Sequence, residues 1–518
     1  MNQRNFLFSL LFLTWSSVLV SQTLIPDPAF GVNGKINFQV SLGQSITWCT
    51  ALQPDGKILA GGYYVPPQGG VRACVVRHNS DGALDTTFGN GGEWISNDLQ
   101  FGLVSKIIVQ PDGKILVTGR SKGACKIFRL KANGTTDFSF GSFGAASVPV
   151  WTGTDTRTTL DMNLQPDGKI LFSCWMFFNG TERAMGRLNS NGSLDQTFGA
   201  SGIVKLPVSE FGGANFGNDF VLNINAENQI LAAISIEVDA SNRHLSIVQF
   251  DEDGNRLGSF GENGMVIIPT ASEVTDIIPL PGNDFFVATQ INLWDENAIE
   301  VSIFKYHPNG EADETYGVQG RGVMFVIRPN TMSSIRRAVL QPDGKIVVFG
   351  GNFQGTGFIG RYDAQGFPDQ GFGPAGLYFP EDPTALFFDG LVQPDGKIGA
   401  MGYYTSPDMI QGSFYRFLAP SSSGTADAGQ VIKALNVYPN PINGRLFSFA
   451  YELPFATQIE LELIDSQGRS IGVLLNAERA VGKNEESLVL PANVGQGIYF
   501  LKMKTNKGNT MIKLFVLS

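Results

Sequence analysis

The residues best placed by type and spacing to do chemistry are tied to a repeated hexapeptide. QPDGKI begins at Gln53, Gln110, Gln165, Gln341 and Gln393, and degenerate copies begin at Asn225 (NAENQI) and Leu280 (LPGNDF). Four residues before these seven starts stand Cys49, Lys106, Asp161, Val221, Asp276, Arg337 and Asp389. If equivalent positions share one level of a closed ring, Lys106, Asp161, Asp276, Arg337 and Asp389 converge near one mouth of a central channel, with Arg336 beside them. Gathered carboxylates suit acid/base work, and the same set could line a polar pocket for a sugar or a peptide. The mostly alternating signs favour a plainer role, ion pairs that lock neighbouring units together.

Little else in the chain has the makings of a reaction centre. The 3 histidines, His78, His244 and His307, are scattered, and neither a metal set nor a Ser-His-Asp arrangement is suggested. DEDGN at Asp251 has half the acids of a calcium loop, but no closing Glu follows at the needed spacing, so it reads as a turn. We expect no cofactor, no metal and no catalytic residue. A formal net charge of -10 argues against nucleic acid as a partner. Trp151, Trp175 and Trp294 are aromatics that could stack on sugars, although single tryptophans are more often packing residues.

The elements that must position these residues follow from the repeat. In the second unit SKIIVQ is a β-branched run, PDG a turn, KILVTGR and ACKIFRL further runs, ANG another turn, and AASVPV a last extended piece. Four antiparallel strands per unit, seven times over, are the pattern of a β-propeller. The chain enters with PDPAFGVNGKINF, the end of a unit without its beginning, and the seventh unit stops before that end. The N-terminal segment is therefore predicted to supply the outer strand of the seventh unit, closing the ring without exposed edges. A second regularity follows the third strand, where a cation precedes an acid by eight residues: Arg77 and Asp85, Arg129 and Asp137, Arg187 and Asp195, Lys305 and Asp313, Arg361 and Asp369. The fourth unit has lost both, with Gln249 and Leu257 in their places, and Arg416 of the seventh finds its acid in Asp27. Paired presence and paired loss imply contact, hence structural ion pairs.

The units resemble the delta-60 repeat family of bacterial extracellular proteins, through QPDGKILVTG and through RLNSNGSLDQTFGASGIV at Arg187 to Val204. That resemblance covers about three quarters of the chain and implies a scaffold without a defined activity. The last residues, with VYPNP, DSQGR, GIYFLKMKTNKG and IKLF, are similar to the type A C-terminal sorting domain of the type IX secretion system of Bacteroidota. Carried onto this chain, the likeness marks Tyr438, Pro439, Asn440, Pro441, Gly497, Tyr499, Gly508 and Lys513 as sorting-signal residues. It implies export through the periplasm to the outside, with the type IX machinery as partner, and then release or attachment at the cell surface.

The expected plan is all-β. A signal peptide occupies residues 1–22 (Arg4, then an apolar core from Phe6 to Val20), and a seven-bladed β-propeller closed by an N-terminal strand occupies 24–419. A flexible linker follows at 420–433, and a small Ig-like β-sandwich, the sorting domain, at 434–518. No transmembrane segment is expected in the mature chain. The four cysteines, Cys49, Cys74, Cys125 and Cys174, read as small buried core residues and not as a disulfide framework, with one bridge left open. The expected role is a secreted or surface scaffold for binding or adhesion to a glycan or a protein. The alternative is a polysaccharide hydrolase or lyase using channel-mouth carboxylates.

Overall fold

The computed structural model describes residues 24–38, 44–66, 70–122, 124–148, 156–176, 182–239, 242–269, 273–293, 298–318, 320–327, 334–352, 356–369, 371–380, 385–406, 409–418, 433–438, 442–453, 456–465, 469–505 and 508–517. The signal-peptide reading and most of the linker reading fall outside these residues. Two compact units result, residues 1–420 and 421–518. Among the described residues no helix is long and apolar enough to cross a membrane.

The first unit is built from sets of four antiparallel strands. The second set shows the plan: Phe101–Val109, Ile115–Lys122, Cys125–Leu130 and Ala145–Val148, each paired with the next. Among the described residues six sets run in this way before a last one. The last, Ala385–Val392, Ile398–Ser406 and Met409–Phe417, is completed by Lys35–Phe38, whose Lys35 lies opposite Tyr415. First strands pack against one another in sequence order, and the first strand of the last set returns to Gln44–Leu52 of the first.

Each hexapeptide is the turn between the first and second strands. Gln53 N–H donates to Lys57 O at 2.8 Å and Gly56 N–H to Gln53 O at 2.9 Å. Gly56, Gly113, Gly168, Gly344 and Gly396 all have φ near +82°, where a Cβ is disfavoured. The degenerate turns place Asn228 and Asn283 at that position, with φ of 62° and 68°. Asn is the side chain best tolerated in left-handed backbone, so the turn survives the loss of glycine.

Apolar clusters join neighbouring sets. Cys49, Leu59 and Val75 of the first pack with Val104, Ile107 and Val117 of the second. The second and third sets are also linked covalently, by the one bridge that the sequence leaves open: Cys125 is bonded to Cys174 across 49 residues, while Cys49 and Cys74 are free and buried. Both bonded residues lie on facing strands of adjacent sets, a proximity their differing repeat positions concealed. Replacing both by serine is expected to lower stability by about 2–4 kcal/mol in urea unfolding. No change on reduction of the native protein would show the bond to be dispensable.

In the second unit, two sheets enclose one core. Lys433–Tyr438, Leu446–Leu453 and Gly482–Val489 form one sheet; Ile442–Asn443, Gly508–Leu517, Gly497–Thr505, Thr457–Asp465 and Ser470–Arg479 form the other. Phe447, Phe449 and Tyr451 pack on Leu461, Leu463, Leu501 and Leu514 between them.

Candidate functional site

The first strands carry a shared irregularity that decides which side chains meet. Each pairs with its second strand through a register shift: between Thr47 and Cys49, Val104 and Lys106, Thr159 and Met162, Val274 and Asp276, Ile335 and Arg337, and Phe387 and Asp389. The fourth set is the most distorted. Its shift runs from Phe216 to Phe220 against only Ile236 to Ile234, so two extra residues leave the ladder. A bulge re-aims the side chains on either side of it. In five sets the residue left out of the ladder is the one before the ring position, and the ring position itself is paired again with the second strand.

At the ring position the charged residues bond to one another and to the next set. Lys106 Nζ lies 2.8 Å from Asp161 Oδ1, and Arg337 lies 2.7 Å from Asp276 and 3.4 Å from Asp389. The second carboxylate oxygen of each acid accepts a backbone N–H from the following set: Asp161 from Leu222 at 3.0 Å, Asp276 from Ala338 at 2.7 Å, and Asp389 from Thr50 at 2.6 Å. Burial pushes the Asp276 and Asp389 carboxyls above the usual range against the pull of Arg337. Arg337 is held more firmly protonated by Asp276. The five form two bonded groups, Lys106 with Asp161 and Arg337 with Asp276 and Asp389, in a bonding pattern that fits fastening. Asp276→Ala would leave Arg337 with Asp389 alone and the Ala338 amide unpaired, and is expected to cost about 2–4 kcal/mol. A loss under about 0.5 kcal/mol in urea unfolding, typical of a surface site, would remove the fastening role.

The second set of pairs sits beside the hexapeptide turns and is also shared out among the units. Arg77–Asp85, Arg129–Asp137, Arg187–Asp195, Arg361–Asp369 and Arg416–Asp27 lie at 2.7–2.9 Å, and Lys305–Asp313 at 2.6 Å. Arg77 also donates to Ala132 O of the next set at 2.6 Å and lies over Phe88, 4.5 Å from its ring. Sequence reasoning missed a third member, the hexapeptide lysine. Lys57 reaches Asp85 at 3.0 Å, Lys169 reaches Asp195 at 3.2 Å and Lys345 reaches Asp369 at 3.0 Å. Burial alone would raise Asp85; bonds from Thr87 and Lys57 and the charge of Arg77 outweigh it and hold the carboxyl well below the usual range. In the fourth set the cluster is neutral, with Gln249 donating to Gln229 at 3.0 Å.

A cavity of about 170 Å³ opens beside the ring; of the ring positions only Val221 lines it, with Asp219, Glu273, Thr275, Ile335 and Arg336. None of the five charged ring residues lines it. Asp219 comes from the enlarged bulge of the fourth set, and Arg336 is the bulged residue of the sixth. Burial and the neighbouring Glu273 push the Asp219 carboxyl up to about 7, against a 3.2 Å bond from Ser235 and the charge of Arg336. Gln290 donates to Glu273 at 2.8 Å and accepts the Ile335 amide at 2.8 Å, fixing one wall. The Arg336 guanidinium lies 5.8 Å from the Phe388 ring, and Phe388 stacks on Trp48 at 4.3 Å. Trp151 and Trp294 lie outside the described residues, while Trp175 is in strand Ile170–Met176. Among the described residues no group of histidine, cysteine and acid side chains forms a metal set.

Of the sorting-signal residues, Tyr438 is exposed at the end of Lys433–Tyr438, and Pro439, Asn440 and Pro441 lie outside the described residues. Gly497, Tyr499, Gly508 and Lys513 lie on one hairpin, with Tyr499 opposite Leu514 and Lys513 opposite Phe500.

Comparison with known proteins divides the chain at the same place. The family described as "Domain of unknown function (DUF5122) beta-propeller" matches residues 53–88, 110–140, 165–198 and 341–372. The "Secretion system C-terminal sorting domain" matches residues 436–517. No curated protein matches. Among solved structures, the GH93 α-L-arabinofuranosidase of Fusarium graminearum is 11% identical with a TM-score of 0.36, over 76% of this chain and 98% of that one. The Pyrococcus horikoshii acylaminoacyl peptidase is 9% identical at 0.37, over 79% of this chain and 58% of that one. The Synechocystis apocarotenoid oxygenase is 11% identical at 0.33, over 74% and 89%. No residue role is carried over from any of them. The chain thus carries DUF5122 beta-propeller sequence in its first unit and a type IX secretion system C-terminal sorting domain in its second.

Proposed function

We propose that the first unit is a seven-bladed β-propeller, closed by its N-terminal strand, that serves as an extracellular binding or adhesion module. The second unit is an Ig-like sorting domain that directs it through the periplasm and the type IX machinery to the cell surface or the medium. The closed sequence of first-strand contacts supports the blade count, and the two sheets sharing one core support the sandwich. The observation that carries the binding role is the cavity beside the ring, whose Asp219, Glu273 and Arg336 stand outside the repeated fastening pattern. Two tests apply. Expression in a type IX-competent bacterium should place the full chain outside the cell, and removal of residues 436–517 should retain it in the periplasm. Purified full chain should bind on a glycan or peptide array; binding to neither would leave only a scaffold.

A second reading is an extracellular polysaccharide hydrolase or lyase. It draws on two acids at one cavity, one of them holding its proton near neutral pH. Release of new chain ends from a polysaccharide, abolished in Asp219→Asn and Glu273→Gln, would favour it.

A further inference from the structure

The bulged residues form their own layer, and its two halves differ in chemistry. On one side, in the seventh and first sets, Phe388 stacks on Trp48, and Tyr403 packs on Phe388 at 5.3 Å, in a small apolar cluster with Leu386 and Ile46. Across Arg336, in the fourth and fifth sets, lie Asp219 and Glu273. The internal repeat is weakest at the acidic half: the hexapeptide is degenerate in both sets, the outer ion pair is missing from the fourth, and its bulge is widened by two residues. Trp48 Nε1 is shielded from water and makes no hydrogen bond among the described residues. These departures fall in the two sets that supply the cavity's acids, Asp219 and Glu273.

The charges narrow what such a surface accepts. The acidic wall of Asp219 and Glu273 leaves Arg336 no surplus positive charge with which to hold an anion such as a uronate or phosphate, and Arg336 opposes an amine. What remains is a neutral group with many hydroxyls. Carboxylates accept paired O–H donors, a guanidinium donates to hydroxyl oxygens, and flat aromatic rings cover the C–H face of a sugar ring. A peptide offers one N–H per residue and matches paired carboxylates less well. We propose that this cleft binds a neutral glycan, one sugar residue entering between Asp219, Glu273 and Arg336 and the next reaching the partly exposed Trp48 beyond Arg336. This assignment rests on the binding role proposed above and specifies its ligand class.

The test uses full chain and calorimetric titration with neutral gluco-, xylo-, manno- and arabino-oligosaccharides, beside oligogalacturonate, chitosan oligomers and a peptide library. At least one neutral oligosaccharide should bind. Asp219→Asn and Glu273→Gln should each weaken it by about tenfold or more, the scale of one lost charge-assisted hydrogen bond, and Trp48→Phe should weaken it less. Asp161→Asn, at a fastening position, should lower the melting temperature and leave affinity unchanged. Neutral-glycan binding that survives both acid substitutions in folded protein would overturn the site. Binding of charged saccharides or peptides alone would overturn the ligand class and leave a binding module standing; binding of nothing would remove both.

Discussion

Asp27→Ala is expected to destabilise the first unit by about 3–5 kcal/mol, the scale of breaking one partner from a buried ion pair. The pair is well buried, with Arg416 Nε 2.8 Å from Asp27 Oδ2 and both side chains at most 6% exposed. Its members are 389 residues apart, so it closes the whole ring and not one hairpin. Lys397 lies 3.7 Å from the same carboxylate, and Arg416 also donates to Ser80 O of the first set and lies over Phe30, 4.2 Å from its ring. Gly31 N–H adds a 2.9 Å bond to Asp81 O. Loss of Asp27 leaves Arg416 and Lys397 facing each other, loosens Lys35–Phe38 and bares the edge of Met409–Phe417 for pairing with other chains. Asp137→Ala, removing an equivalent acid within one hairpin, is the comparison. The expected result is a similar loss of stability in urea for both, with early proteolysis near the termini and concentration-dependent aggregation only for Asp27→Ala. Identical behaviour in all three measurements would mean that the N-terminal segment does not hold the ring shut.

Much of this was legible in the sequence because the repeat multiplies it. A turn that needs positive φ leaves a Gly at Gly56 and four equivalent places, and an ion pair leaves two charges eight residues apart. Seven near-copies turn weak local signals into an architecture. The cavity was harder to read for a physical reason. Counting back four residues reached Asp276, Arg337 and Asp389, which bond across to the next set. The cavity belongs instead to bulged residues, and a bulge breaks the period-2 alternation on which strand faces are read. The trace was present: Arg336 and Arg337 are adjacent, as are Phe388 and Asp389, and Thr275 and Asp276. In each pair the first residue is the one left out of the ladder, so the two break the alternation at the same point of their strands. Asp219 left a fainter trace, because its set pairs with a two-residue excess that its sequence does not announce. The hexapeptide lysine was hidden differently. It lies on a neighbouring strand, so no spacing along the chain ties Lys57 to Asp85.

Asp219 also gives a prediction in pH, with a definite sign. Its carboxyl is raised to about 7 from an ordinary 3.8, by burial and by Glu273. Below pH 4 the group is protonated whether the chain is folded or not, and it imposes no penalty. As pH rises from 4 to 7 the unfolded chain releases this proton while the folded one keeps it, so stability falls with pH, and the loss is complete above the folded value. At about 1.4 kcal/mol per pH unit, the loss reaches about 2–4 kcal/mol once partial solvent access is allowed for. Asp219→Asn carries no titrating proton. Its stability relative to the unsubstituted chain should therefore be favourable by about 1 kcal/mol or less at pH 4.5 and by a few kcal/mol at pH 8, in paired urea titrations where other groups cancel. A difference that does not change with pH would show that Asp219 is hydrated like any surface acid. A difference that grows would identify an acid kept beside Glu273 against the stability of the fold. Such retention is expected of a group used in recognition, since a substitution as small as Asn would otherwise relieve it. The same variant should then be the more stable protein at pH 8 and the weaker glycan binder.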